Sequence, residues 1–365
     1  MSSTVAEVCE KRRFEEDELT DGQSSSMLED EAYGHAKKET AVRLNRLTVN
    51  NETKPLDYIL KEHDVLTNIA HRHEVPILDR PFKIVLEDEN VLIIDKPCSL
   101  PVHPCGRYYF NSLTSILEID YKYKDLRLMY RLDRLTSGLM IISKNSATDV
   151  KLKRELVDRK VQKEYVCLVE GEFPSEPMTC SKSIEPCEPK MGVQWVRPDG
   201  HINKGKECIT EFNLLKTNGK ISAVRCFPKT GRTHQIRVHL QYLGYPIVND
   251  YMYNSTVWGD DKGKNAVYGR THEQLRVDLM KTFGAENWVV DFEESAVDFM
   301  QHKDKLDDKN GYIDLESIEF VAGKSTVYDP FCIDCHVQAK IPTEKQLEMY
   351  LHCWKYKVGG LVQLE

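Results

Sequence analysis

The apolar residues of this chain fall in short, β-rich runs broken by turn chemistry, and that spacing limits the fold more than any single motif. "KIVLEDENVLIIDKP", 83–97, sets two such runs around Glu87-Asp88-Glu89-Asn90 and reads as a hairpin. "CITEFNLLKTNGKISAVRCFP", 208–228, is a second hairpin with Asn218-Gly219 at its turn. "GLMIISK" at 138–144 and "QKEYVCLVEG" at 162–171 read as further strands. Helical signals lie between them: "NSLTSILEI" at 111–119 with Asn111 as its cap, "ATDVKLKRELVDRK" at 147–160, and "GRTHQIRVHLQYLG" at 231–244, which ends on Gly244. Strands outnumber helices and do not strictly alternate with them. The pattern predicts an α+β fold of mixed, largely antiparallel sheets flanked by helices.

The flanks differ from this middle. Residues 1–40 are polar, unpatterned and expected to be disordered. "RLTVNNETKPLDYILKEHDVLTNI", 46–69, predicts a small strand-turn-strand unit within 41–80. The core is expected over 81–257, an acidic, partly disordered insertion over 258–325, and a C-terminal segment, 326–365, packed back on the core. Net charge is −8, yet it is unevenly spread. Residues 1–40 carry 11 acidic and 5 basic side chains and residues 258–325 carry 15 and 9, so the remainder is net positive. Such a body can hold a focused basic groove for nucleic acid. The acid-rich N-terminus resembles neither a signal nor a transit peptide, and no apolar run is long enough for a spanning helix. The expectation is therefore a protein of the cytosol or nucleus, with mitochondria not excluded, no membrane partner, and eleven reduced cysteines.

"YRLDRLTSGLMIISK", 130–144, sets Asp133 between Arg131 and Arg134 and runs through Thr136-Ser137-Gly138 into an apolar strand. A carboxylate on a tight turn beside a rigid strand suits a nucleophile or a base. Neighbouring guanidiniums are expected to keep it ionised, lowering its pKa by about 1–3 units. Taken alone, "RLDR" is also an ordinary ion-paired turn, Tyr165 an ordinary strand aromatic, and Arg232, Arg237 and His239 a basic helix face for any anion.

Together, in this order, "RLDRLTSG", "KEYVCLVEGEFP" and "GRTHQIRVHLQYLGYPIVND" resemble the three signature segments of the RluA-type pseudouridine synthases. "VLIIDKPCSLPVHPCGRY" is similar to the stretch that precedes the catalytic loop in that family, and "HRHEVPI", 71–77, resembles its eukaryotic branch acting on tRNA anticodon loops or mRNA. The resemblance spans about residues 41–257 and 326–357. It implies isomerisation of specific uridines in RNA, tRNA first and mRNA second, by a monomer with no cofactor. It makes Asp133 the catalytic aspartate, Tyr165 the ring that stacks on the flipped base, and Arg237 the arginine that pairs with the aspartate. Arg131, Arg134, Arg107 and Lys163 are expected to contact phosphates, and His103 to line the entry beside Arg107. Arg232 and His234, in the lead-in to Arg237, complete the RNA-binding set. Two departures stand out. The family usually has His where this chain has Tyr130, expected to alter what supports the loop and not the activity. Residues 41–80 resemble only the C-terminal part of an alpha-L type RNA-binding fold.

No metal is expected. Cys332 and Cys335 have a zinc-compatible spacing, but His352 and Cys353 are adjacent, and neighbours rarely aim at one tetrahedral ion. A zinc deaminase would need His-x-Glu and Pro-Cys-x-x-Cys, and Phe331 interrupts the second element. A catalytically silent RNA-binding protein and a scaffold acting through 258–325 are the rival readings.

Overall fold

The computed structural model describes residues 41–69, 73–198, 206–284, 289–291, 338–339, 342–358 and 362–364. The chain divides into two compact units, Met1–His73 with Asp291–Gln338, and Glu74–Val290 with Ala339–Glu365. In the first unit, β1 (Leu47–Val49) pairs antiparallel with β2 (Leu66–Asn68). Asn50 and Asn51 turn the chain at positive φ, the conformation asparagine tolerates best after glycine. The Asn50 side chain fixes the turn's return, donating to Asp64 at 2.7 Å and accepting from the Val65 amide at 2.9 Å.

The second unit is built on one large sheet. Its strands are β3 (Lys83–Glu87), β4 (Val91–Lys96), β5 (Arg127–Leu128), β6 (Ser137–Ser143), β7 (Val161–Glu170), β8 (Met178–Cys180), β11 (Thr210–Thr217), β12 (Ile221–Pro228), β15 (Leu351–Val358) and β16 (Val362–Leu364). Along the main path the order is β3-β4-β6-β15-β7-β12-β11-β8. β4 and β6 are buried along nearly their whole length, which is why both read as unbroken apolar runs. β7 and β12 alternate instead, with Tyr165, Cys167, Val169, Val224 and Cys226 turned inward. β9 (Glu185–Glu188) and β10 (Val193–Trp195) form a separate ribbon, while β13 (Val289–Asp291) and β14 (Gln338–Ala339) lie outside the large sheet.

Two features go beyond the sequence reading. β15 is not a tail packed on the core but a central strand, parallel to β6 and antiparallel to β7. And residues 258–283, read as the start of an acidic insertion, supply core: Trp258, Leu275 and Leu279 are fully buried among surrounding charges. α4 (His272–Phe283) opens there on a capping box between Thr271 and Gln274. The sequences 1–40 and 292–337 lie outside the described residues, as does Cys332–Cys335. Among the described residues no helix is long and apolar enough to cross a membrane.

Two helices flank β6 along the chain. α1 (Leu113–Ile119) starts from Ser112 and not Asn111, whose side chain instead donates to the Val75 carbonyl at 3.2 Å. α2 (Ser146–Val157) is capped by Asn145, which accepts from the Thr148 amide at 2.9 Å. α3 (Gln235–Leu243) is buried on every side from Gln235 to Gln241 and ends at Gly244 in the left-handed conformation. Ile236 and Leu240 join the core of the large sheet, and Val238 joins the second core around Trp195, Tyr253 and Trp258. A helix wedged between two apolar clusters cannot slide, so the polar side chains it carries are fixed in place.

Candidate active site

Asp133 sits on the turn that enters β6, closed by the Thr136 amide donating to the Asp133 carbonyl at 3.1 Å. Two residues into that strand, Gly138 lies opposite Cys353 of β15, and Cys353 lies opposite Tyr165 of β7 on its other side. One three-strand register therefore ties the Asp133 turn to Tyr165. Gly138 is needed there: its φ is +114°, and a Cβ would fall 2.5 Å from the Cys353 nitrogen and 2.8 Å from its carbonyl carbon.

The partner of Asp133 is not a sequence neighbour. Arg131 is exposed, and Arg134 lies over the Tyr108 ring at 5.5 Å. In a turn, successive side chains diverge, so the expectation that the flanking arginines hold the carboxylate fails. The guanidinium comes from α3: Arg237 Nη1 lies 3.3 Å from Asp133 Oδ2. Arg237 is itself pinned by Asp250, fully buried, through Nε to Oδ2 at 2.7 Å and Nη2 to Oδ1 at 2.9 Å. The guanidinium plane rests on the Tyr253 ring, 4.8 Å from its centroid. Asp250 Oδ1 also accepts from the Met252 and Tyr253 amides. Bidentate pairing, stacking and burial leave Arg237 one free direction, toward Asp133.

His234 precedes α3 in a left-handed conformation, φ +55°. That strained placement turns its ring toward Asp133, with Nε2 3.8 Å from Oδ2. The Tyr253 hydroxyl accepts from the Gln194 amide at 2.9 Å and lies 2.8 Å from His234 Nδ1. The tautomer that suits both contacts carries the imidazole proton on Nε2, facing the carboxylate, with Nδ1 accepting from the Tyr253 hydroxyl. Burial, then the Arg237 charge, pulls the His234 pKa down to about 4, so the ring is neutral near pH 7. For Asp133, burial opposes ionisation; His234 when charged, Arg237 with its hydrogen bond, and Lys96 oppose burial and prevail, holding the carboxyl below its usual range. At neutral pH that work falls chiefly to Arg237. The Asp133 side chain is 29% exposed while Arg237 behind it is 5% exposed, so the anion faces outward from a buried cation.

Tyr165 is buried in β7, and burial first, then Cys353, Tyr130 and the Asp133 charge, keep its phenol protonated. Cys353, between the two halves of the site, is pushed up to about 12 by burial and is no nucleophile. Its neighbour His352 points to the other face, 2.9 Å from Ser137 Oγ.

The expected RNA-binding residues are partly assembled. His103 is close enough to Arg131 that, after burial, the guanidinium charge lowers its pKa further, and the same charge reaches His234. Arg107 lies in the tight Cys105–Tyr108 turn, whose Tyr108 carries Arg134. Arg232 is exposed and donates from Nε to the Glu207 carbonyl at 3.2 Å. Lys163 lies beside Tyr130, over whose ring its ammonium sits at 5.3 Å.

Sequence reasoning missed three residues. Asp250 and Tyr253 support Arg237, and their signal was the acid and aromatic just past the apolar "GYPIV". Lys96 is fully buried, donating to the Pro97, Leu100 and Arg134 carbonyls at 2.9, 2.8 and 3.2 Å, and burial pulls its pKa down to about 7. It fastens the far side of the Asp133 turn. A lysine beside a proline in a run of strand residues gave no hint of that burial.

Chemically, this is an oriented, ionised carboxylate beside a protonated phenol, with cations on the surrounding loops. Residues 90–242 match the RNA pseudouridylate synthase family. The human pseudouridylate synthase RPUSD2 is 38% identical over 354 residues, covering 88% of this chain and 64% of that protein. From Saccharomyces cerevisiae, the mitochondrial tRNA pseudouridine(32) synthase is 44% identical over 218 residues, covering 59% of this chain and 46% of that protein. The tRNA pseudouridine(31) synthase of the same yeast is 33% identical over 332 residues, with 82% and 75% covered. This chain thus spans just under two thirds of the human relative's length and three quarters of the second yeast protein's. Asp133, Tyr165 and Arg237 all lie inside the family match, and with three quarters of the tRNA pseudouridine(31) synthase covered at 33% identity, the chain belongs to the RNA pseudouridylate synthase family.

Proposed function

We propose that the protein isomerises specific uridines of RNA to pseudouridine, with Asp133 as the catalytic carboxylate. The observation that carries this reading is the Asp133–Arg237–Asp250 chain, in which a buried guanidinium holds a part-exposed carboxylate ionised and aimed. The glycosidic bond of a stacked uridine is inaccessible, so the base must leave the stack at a cost of a few kcal/mol. Stacking on Tyr165 returns about 1–3 kcal/mol of that. The carboxylate then serves as nucleophile toward sugar or ring, or as base at the 2′ position. Each route needs the same fixed charge, and each ends with the sugar joined to C5 of uracil with no atom gained or lost.

Arg131, Arg134, Arg107, Arg232, His103 and neutral His234 supply donors and charge for the RNA strand around that nucleotide, which position it without reading its sequence. tRNA is the first substrate to test, since two relatives are named for positions 31 and 32 of tRNA; mRNA is the second. We take the protein to act as a monomer in the cytosol or nucleus, with mitochondria the alternative suggested by the name of one yeast relative.

The test is Asp133→Asn, which keeps shape and removes the charge. Pseudouridine is mapped in an unmodified tRNA transcript after incubation with each purified chain. The expected result is specific conversion by the wild type and none by the variant, with RNA still bound. Equal conversion by both removes the catalytic assignment.

A further inference from the structure

Lys163 is a cation that the fold has enclosed without giving it an acid. It faces Tyr356 across β7 and β15, directly opposite in the register. Tyr356 stacks on Tyr130, centroids 4.8 Å apart and planes 16° apart. The Lys163 ammonium lies over both rings, 5.3 Å from the Tyr130 centroid and 5.8 Å from that of Tyr356. The Tyr130 ring is not free to swing away. Its hydroxyl donates to the Leu139 carbonyl at 3.0 Å and accepts from the Ile141 amide at 3.2 Å. Among the described residues no carboxylate lies within ion-pair distance of Lys163, and the adjacent Glu164 is engaged by Arg225 at 2.8 Å.

Two placements say what this cation is for. Lys163 and Tyr165 are two apart on one strand and so project to the same face. The ammonium also lies 3.6 Å from where a Cβ on Gly231 would stand, at the turn that leads into His234 and Arg237. The absence of a side chain at Gly231 therefore leaves open space next to the charge. Aromatic faces stabilise an ammonium without neutralising it, so its charge remains available to an anion arriving from that turn. Burial lowers the Lys163 pKa, and an arriving anion would reverse part of that.

Resting on the pseudouridine synthase reading, we propose that Lys163, seated on the Tyr130–Tyr356 stack, is the subsite for one backbone phosphate next to the flipped uridine. The chemistry is specific to Tyr130: a protonatable imidazole at that position would compete for the same anion or repel the ammonium.

The experiment compares wild type, Lys163→Met, Lys163→Arg and Asp133→Asn on one unmodified tRNA transcript. Lys163→Met keeps an apolar stem over the rings and removes the charge. It is expected to raise KM about tenfold, with the loss in KM and not in kcat, and to lower the slope of log K against log salt by about 0.7–0.9. Lys163→Arg restores the slope. In the wild-type chain, bound transcript should protect Lys163 from an amine-acylating reagent, a readout that stands even where a variant folds poorly. A folded Lys163→Met with wild-type KM and salt slope, or unprotected Lys163 in the wild-type complex, overturns the proposal. If Asp133→Asn still converts uridine, the catalytic reading fails instead, whatever Lys163 does.

Discussion

Replacing Gly138 by Ala probes the register that joins the two halves of the site. The residue lies in β6, directly beside Cys353 of the parallel strand β15, at φ +114°. Two costs add. An L-residue forced to positive φ is strained by about 1–3 kcal/mol. The new methyl also meets backbone, 2.5 Å from the Cys353 nitrogen, and overpacking of that kind costs about 1–3 kcal/mol. The sum, about 2–6 kcal/mol, is a large share of the roughly 5–15 kcal/mol that hold a domain folded. Backbone cannot rotate aside as a side chain can, so relief has to come from β6 and β15 moving apart. Gly138 and Tyr165 are two strand spacings apart, about 10 Å. Widening one gap by about 1 Å displaces Asp133 relative to Tyr165 and is expected to cost about 100-fold in turnover. Urea melts read the stability, and single-turnover conversion of tRNA at low temperature reads the chemistry of the folded fraction. Gly219→Ala is the control: its φ is also positive, +84°, but a Cβ there meets nothing within 4 Å. It should lose the strain alone. If Gly138→Ala melts within about 1 kcal/mol of Gly219→Ala and turns over normally, the close approach does not set the site.

Other outcomes follow from the same geometry. Asp250→Asn leaves the Arg237 charge buried without its carboxylate and should cost about 3–5 kcal/mol in urea melts; the double variant Asp250→Leu with Arg237→Met should regain stability but not conversion of uridine. Acid should weaken the fold through two buried imidazoles. Burial depresses His234 and His239 to about 4 each, against an unfolded value of 6.5, so the unfolded chain binds the extra protons. The stabilisation is full above about pH 6.5 and is lost as pH falls toward 4, by on the order of 3 kcal/mol per ring at most. Urea midpoints across that window check it, and His239→Asn should flatten the slope.

The strands were legible because each has a local signature, and the motifs that carry Asp133, Tyr165 and Arg237 stood out because each is a short, unusual run. Apolar runs in β4 and β6, Asn218-Gly219 at the β11–β12 turn, and Gly244 ending α3 all declare themselves within a few residues. What could not be read depends on contacts distant along the chain. From the local residues Arg131 and Arg134 looked like the partners of Asp133, whereas the guanidinium that reaches it, 104 residues away, was pointed to only by the family resemblance. Trp258, Leu275 and Leu279 are spaced among acids and lysines, and only the second core reveals that they are interior. Lys96 carries a charge, and composition places charges outside; three carbonyls supplied by its own bend and the Arg134 turn make its burial tolerable.

The position of β15 has a consequence for how the molecule is made. Hydrogen bonds on both its edges join partners separated by some of the longest loops in the chain: Gly138 and Cys353 are neighbours, as are Val161 and Val358. Until Val358 has left the ribosome, β6 and β7 each expose a row of unpaired amides and carbonyls along what will become the middle of the sheet. Synthesis at about 5–20 residues per second leaves that seam open for roughly ten seconds or more after β7 emerges. Nascent chains should therefore depend on chaperones more than chain length alone suggests, and a stop codon before Leu351 would yield an open-seamed, aggregation-prone product and not a trimmed enzyme.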